Sequence, residues 1–208
     1  KGSKMKISAS ILAADQNKII NNLDIKKNLF DYVHIDVGDN VFCPTFGISK
    51  ENIYKLINET SYKLDIHLMI NDFPVLLNSL VNDNNNIIKV SHHVESNSIN
   101  EFLEIMNNQD NIDTGLGILG SSDLNVLQPF LESKKLKIDY VLLLCVKPGY
   151  SNQDTIISPL KRVADFKNYY PNFQGQIMVD GGVSNEMLSD LEKLGVNVSV
   201  QGGAIFGK

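Results

Sequence analysis

A chain of 208 residues with 43% hydrophobic side chains is long enough for one domain with a sizeable core. Its formal net charge of −5 argues against a nucleic-acid or anionic-membrane surface as the main partner, so an anionic ligand must be held by local donors. The longest purely apolar run, Val141 to Val146, is far too short to span a bilayer, and Cys43 and Cys145 form neither a metal-ligand spacing nor a disulfide framework.

Lys1-Gly2-Ser3-Lys4 reads as foreign to a native sequence that starts at Met5. The N-terminus lacks the apolar core of a signal segment, and the cysteine usage suits a reducing compartment, so a cytoplasmic location is expected. From there, short apolar runs alternate with helix-length amphipathic segments. Lys6–Leu12 predicts a strand and Asn17–Leu29 a helix; Tyr32–Asp36 is the second strand, and a helix follows near Lys50–Glu59. Lys63–Met69 reads as strand, Pro74–Asn82 as helix, Ile87–His92 as strand and Ile99–Asn107 as helix. Thr114–Leu119 is strand, Leu124–Ser133 helix, Tyr140–Val146 strand and Pro159–Tyr169 helix. Gln176–Asp180 (strand), Glu186–Leu194 (helix) and Val196–Gln201 (strand) close the series.

Eight β segments in strict alternation with helices predict an α/β fold, a single (β/α)8 TIM barrel over residues 5–208. The alternative, an open doubly wound sheet, normally carries a glycine-rich turn after its first strand. Here that turn is Ser10-Ile11-Leu12-Ala13-Ala14-Asp15, without glycine.

The C-terminal ends of barrel strands carry the chemistry. Ser10, His34, Asp36, Asp65, His67, His92, His93, Glu95 and Asp180 all fall at or near such ends, and all four histidines are among them. His34 and Asp36 are two apart in a strand and share a face, as do Asp65 and His67. Several strands presenting His or Asp to one mouth point to a metal; two imidazoles with two carboxylates suit Zn²⁺, Fe²⁺ or Mn²⁺. Asp180-Gly181-Gly182 and Gly202-Gly203 sit at the loops after strands 7 and 8, where barrel enzymes often bind phosphate through exposed backbone N–H groups.

These residues resemble the ribulose-phosphate 3-epimerase family over nearly the whole chain. The resemblance is carried by Ser8-Ala9-Ser10-Ile11-Leu12-Ala13-Ala14-Asp15, His34-Ile35-Asp36-Val37-Gly38-Asp39, Leu64-Asp65-Ile66-His67-Leu68-Met69 and His93-Val94-Glu95. It continues in Val146-Lys147-Pro148-Gly149-Tyr150 with Gln153, in Val179-Asp180-Gly181-Gly182 and in Gly202-Gly203-Ala204-Ile205-Phe206-Gly207. The resemblance implies one divalent metal, zinc or alternatively Fe²⁺ or Mn²⁺, held by His34, Asp36, His67 and Asp180. It implies that Asp36 and Asp180 are the two acid/base groups of a 3-epimerase acting on a ketose phosphate through a cis-enediolate. Ser10, His67, Met69, Gly149, Gly181, Gly182, Gly202 and Gly203 would contact the substrate.

D-Ribulose 5-phosphate to D-xylulose 5-phosphate is the expected reaction, as in the pentose phosphate pathway. The alternatives are allulose 6-phosphate and a degenerate, noncatalytic sugar-phosphate binder. A decarboxylase of the orotidine-phosphate type is disfavoured, because Gly38 stands where Asp-x-Lys would need lysine.

Departures from the family pattern are Gly38 and Leu144 at positions where methionine is common, and Leu119-Gly120 for Asn-Pro. Thr45 replaces Asn, Lys147 replaces Asn or Glu, and Ser151-Asn152 replaces Gly-Gly. Lys147 either pairs with phosphate or is a solvated loop charge. The family's final helix follows Gly207, so the last outer helix is expected to be absent or truncated here. A homo-oligomer that covers the apolar barrel surface so exposed is expected.

Overall fold

The computed structural model describes residues 4–72, 86–151 and 153–207. The expected helix at Pro74–Asn82 and the departure at Asn152 lie outside the described residues. The eight strands are β1 (Lys6–Ser10), β2 (Tyr32–Gly38), β3 (Leu64–Met69), β4 (Ile87–His93), β5 (Asp113–Ile118), β6 (Tyr140–Leu144), β7 (Gln176–Asp180) and β8 (Val198–Gln201). They form a closed parallel barrel in sequence order, shut by β1 pairing with β8. The described helices are α1 (Ile19–Lys26), α2 (Lys50–Glu59), α3 (Ile99–Met106), α4 (Gln128–Leu131), α5 (Pro159–Tyr169), α6 (Leu188–Lys193) and α7 (Gly203–Phe206).

Several boundaries differ from expectation for local reasons. β1 stops at Ser10 because Ile11–Ala13 turns into a 3-10 segment. The Leu124–Ser133 helix resolves into a 3-10 turn, Leu124–Leu127, followed by the single turn α4, with Pro129 at its start. Cys145 and Val146 leave the β6 ladder; Val146 pairs antiparallel with Thr155 in the following loop. α2 and α5 keep their expected bounds because both are capped: Ser49 Oγ accepts from Asn52 N, and Ser158, before Pro159, accepts from Lys161 N.

The main apolar core lies between strands and helices and takes in outward residues of β2, β3, β4, β5, β6 and β7, such as Val33, Ile35, Ile66, Val90, Leu143 and Val179. The barrel interior is divided. β6 to β8 fill one side with Tyr140, Leu142, Leu144, Met178, Val198 and Val200. β1 to β4 fill the other with buried polar side chains: Ser8, His34, Asp36, Asp65, His67, Lys89, Ser91 and His93. β5 contributes Gly115 and Gly117. A Cβ on Gly115 would lie 2.3 Å from the Tyr140 ring, and one on Gly117 would lie 3.1 Å from the His93 ring, so these glycines make room for both. Lys89 closes the N-terminal end, bonded to Asp113 and Gln176 with its ammonium 4.8 Å from the Tyr140 ring centre. Among the described residues, no helix is long and apolar enough to cross a membrane.

Candidate metal centre and substrate cavity

The register of β2 against β3 builds the centre. His34 lies beside Asp65 and Asp36 beside His67, and the period of two sends all four side chains inward. Asp180 arrives from β7, which is separated from β2 by β8 and β1 in the closed barrel. One ligand atom from each of His34, Asp36, His67 and Asp180 lies within 4.8 Å of the others. Asp36 Oδ1 is 3.0 Å from His67 Nδ1 and 3.2 Å from His34 Nε2; Asp180 Oδ2 is 3.4 Å from each of those nitrogens.

The electrostatics of this cluster favour a cation. Burial acts to raise the Asp36 and Asp180 carboxyls, yet the two imidazoles outweigh it and hold both below the usual carboxylate range. Burial acts to lower the imidazoles, yet the surrounding carboxylates, Asp65 and Asp36 foremost at His34, hold His34 and His67 above the ordinary histidine range. His34 Nε2 is fully buried, and neither nearby carboxylate oxygen meets it in hydrogen-bonding geometry. An orphaned buried nitrogen facing two carboxylates and a second imidazole fits a divalent ion with nitrogen and oxygen ligands.

Above the centre opens a cavity of about 400 Å³. Asp36, His67 and Asp180 reach its floor. Ser10, Met69, Gly149, Gly181, Gly182, Gly202 and Gly203, each singled out from sequence, line its wall. Ser10 Oγ donates to Asp36 Oδ2 at 3.1 Å. Gly181 and Gly182 have φ of +87° and +71°, a conformation that favours glycine, and a Cβ on Gly182 would stand 2.6 Å from Thr155 Oγ1. Lys147 is the one Lys or Arg lining the cavity among the described residues. Tyr150, from the same loop after β6, donates its hydroxyl to Pro44 O at 2.7 Å and so ties that loop to the one after β2.

Not every strand-end residue joins the centre. Asp65 sits behind His34: its Oδ2 is 2.7 Å from His34 Nδ1 and accepts from Ser8 Oγ at 2.8 Å. His93 Nε2 is 2.8 Å from His67 Nε2, and Glu95 Oε2 is 3.3 Å from His93 Nδ1. His92 points outward instead, its ring against Phe102 and its Nε2 2.9 Å from Ser98 Oγ. Sequence reasoning missed the parts played by Ser8 and Tyr150. The parity of β1, with Ser8 and Ser10 on one face, is the signal that reveals Ser8.

Residues 6–206 match the sequence model of the Ribulose-phosphate 3 epimerase family. The chain is 27% identical to the ribulose-phosphate 3-epimerase of Bacillus subtilis, over 98% of this chain and 93% of that protein. It is 29% identical to the protein of the same name from Buchnera aphidicola subsp. Baizongia pistaciae, over 98% and 89%. Among solved structures, 3-keto-L-gulonate-6-phosphate decarboxylase from Vibrio cholerae is similar with a TM-score of 0.70 at 12% identity, covering 99% of this chain and 92% of that one. Orotidine 5'-monophosphate decarboxylase from Methanocaldococcus jannaschii gives 0.60 at 16% identity, covering 100% and 94%. These structures share the barrel fold with this chain.

Proposed function

The chain belongs to the ribulose-phosphate 3-epimerase family, and we propose that it interconverts D-ribulose 5-phosphate and D-xylulose 5-phosphate with the help of one divalent metal ion. The observation that carries this reading is the convergence of His34, Asp36, His67 and Asp180, three of which, Asp36, His67 and Asp180, reach the floor of a cavity of ligand size. Those four residues would hold the ion, with zinc first and Fe²⁺ or Mn²⁺ as alternatives. Such an ion would supply positive charge that offsets the negative charge developing on the substrate oxygens as C3 loses its proton.

The chain's own residues divide the remaining work. Asp36 takes the C3 proton on one side of the substrate, and Asp180, from the strand across the mouth, delivers a proton to the other; the reverse reaction exchanges their roles. Ser10 orients Asp36 through its hydrogen bond. His67 and Met69 border the reacting carbons. Backbone N–H groups around Gly149, Gly181, Gly182, Gly202 and Gly203 receive the phosphate, where an approaching anion meets no side chain. The two free, buried thiols, Cys43 and Cys145, suit a reducing compartment such as the cytoplasm.

The test uses zinc-loaded protein with ribulose 5-phosphate and allulose 6-phosphate in parallel, in deuterated water, with metal content measured on the same samples. Higher turnover of the pentulose phosphate is expected. Asp180→Asn that keeps its metal should lose epimerisation by about a hundredfold or more while still exchanging the C3 proton of one epimer. Wild-type interconversion by metal-loaded Asp180→Asn overturns the acid/base assignment.

A further inference from the structure

The two histidines of the centre are steadied from behind by different devices. His34 meets a carboxylate directly, at Asp65. An ionised carboxylate only accepts, so His34 keeps a ring proton on Nδ1, and with a metal bound its Nε2 is the nitrogen left bare toward the centre. His67 is turned the other way round. Its Nδ1 faces Asp36 and Asp180, and its Nε2 faces another imidazole, His93, at 2.8 Å. Two ring nitrogens at that distance need one proton between them, and their contact alone does not say which ring holds it.

Glu95 decides. Its Oε1 accepts the Leu119 N–H at 2.8 Å and its Oε2 faces His93 Nδ1 at 3.3 Å. The carboxylate accepts from His93 Nδ1–H, which leaves His93 Nε2 bare. That nitrogen accepts from His67 Nε2–H, so that with a metal bound the nitrogen of His67 left bare toward the centre is Nδ1. We propose that Glu95 is a positioning residue that acts through His93 to set the tautomer of His67, keeping Nδ1 of His67 free to bind the metal. The proposal rests on the metal reading of the site given above. Gly117 supports the chain by leaving the His93 ring the room it occupies.

A change of one atom reverses the chain. In Glu95→Gln the Leu119 N–H still requires an oxygen opposite it, so the amide nitrogen takes the other place and donates to His93 Nδ1. His93 then carries its proton on Nε2, His67 Nε2 becomes the acceptor, and the proton of His67 moves to Nδ1, where the metal should bind. Glu95→Ala removes the acceptor without installing a donor. A role confined to packing predicts that alanine is the more harmful change, because glutamine keeps the shape. A tautomer relay predicts that glutamine is.

The experiment measures Zn²⁺ affinity by competition with a chromophoric chelator for the wild type, Glu95→Gln and Glu95→Ala. Long-range ¹H–¹⁵N spectra of the histidine rings are recorded on the same proteins. We expect zinc affinity to fall about tenfold to a hundredfold in Glu95→Gln and less in Glu95→Ala. The zinc-loaded wild type should show the proton of His67 on Nε2 and that of His34 on Nδ1. Unchanged affinity in Glu95→Gln, or weaker binding by Glu95→Ala than by Glu95→Gln, overturns the relay while leaving the metal site standing. A wild type that binds neither Zn²⁺ nor Mn²⁺ overturns the metal reading and the relay with it.

Discussion

His92 and His93 are adjacent in β4 and lead opposite lives. His93 enters the barrel behind His67; His92 leaves it and packs under α3, where burial pushes its pKa down to about 4. Folded His92 is therefore neutral over a range in which the unfolded chain, with an ordinary imidazole near 6.5, takes up a proton. Above that value His92 costs nothing. As pH falls from there toward 4, the unfolded state gains the proton first and stability declines, by about 3 kcal/mol in all. Urea denaturation of metal-free protein at pH 7 and pH 4.5 should show a smaller loss for His92→Gln than for the wild type; parallel losses would refute the assignment. Both histidines stand at a strand end in the sequence, and position alone groups them with the candidate ligands. The parity set by Lys89 and Ser91 separates them: His93 shares their inward face and His92 does not. The same parity makes His34, Asp36, Asp65 and His67 legible as inward residues, but not that Asp65 stands behind His34. That follows from the β2–β3 register, which a single strand's pattern does not contain.

At the scale of elements, the loop after β2 explains a departure that looks like a loss. Asp39 Oδ1 accepts from Val41 N and Phe42 N, its Oδ2 accepts from Asn71 N, and Gly47 bridges back to Val37. This folds the loop onto the end of its own strand, and a Cβ at Gly38 would lie 2.2 Å from Thr45 O and 2.8 Å from Cys43 Sγ. Restoring methionine there should destabilise the protein by about 1–3 kcal/mol with no gain in turnover. Thermal melts and an epimerase assay on Gly38→Met check this, and a variant as stable as the wild type would show that the loop yields freely. Element identities were readable because hydropathy alternates in the strands of the polar half, as in Tyr32–Gly38 and Leu64–Met69. Ends were less so. The 3-10 turns at Ile11 and Leu124, and the departure of Cys145 and Val146 from β6, depend on loop hydrogen bonds such as Ile156 N to Cys145 O, which no periodicity records.

At the scale of the whole molecule, the divided interior concentrates buried carboxylates and imidazoles on one side of the barrel. A cation bound at His34, Asp36, His67 and Asp180 would compensate that arrangement and would bind only the folded state. Removing it with a chelator should lower the melting temperature on the order of 10 °C, if the ion is bound at about a thousand times its dissociation constant. The shift should vanish in His34→Gln; a wild type whose melting temperature ignores the chelator would count against the centre. The eight-strand alternation made the closed barrel readable.

The centre joins residues 34, 36 and 67 to residue 180, from the seventh of eight strands. A chain emerging from the ribosome presents three of these groups long before the fourth. The full set is thereby ordered in time: an ion could be gripped by all four groups only after the seventh strand has been made and the ring of strands has closed. Fragments ending before β7 should capture metal weakly at best, so tight retention of an ion would double as a report that synthesis had reached the far side of the barrel.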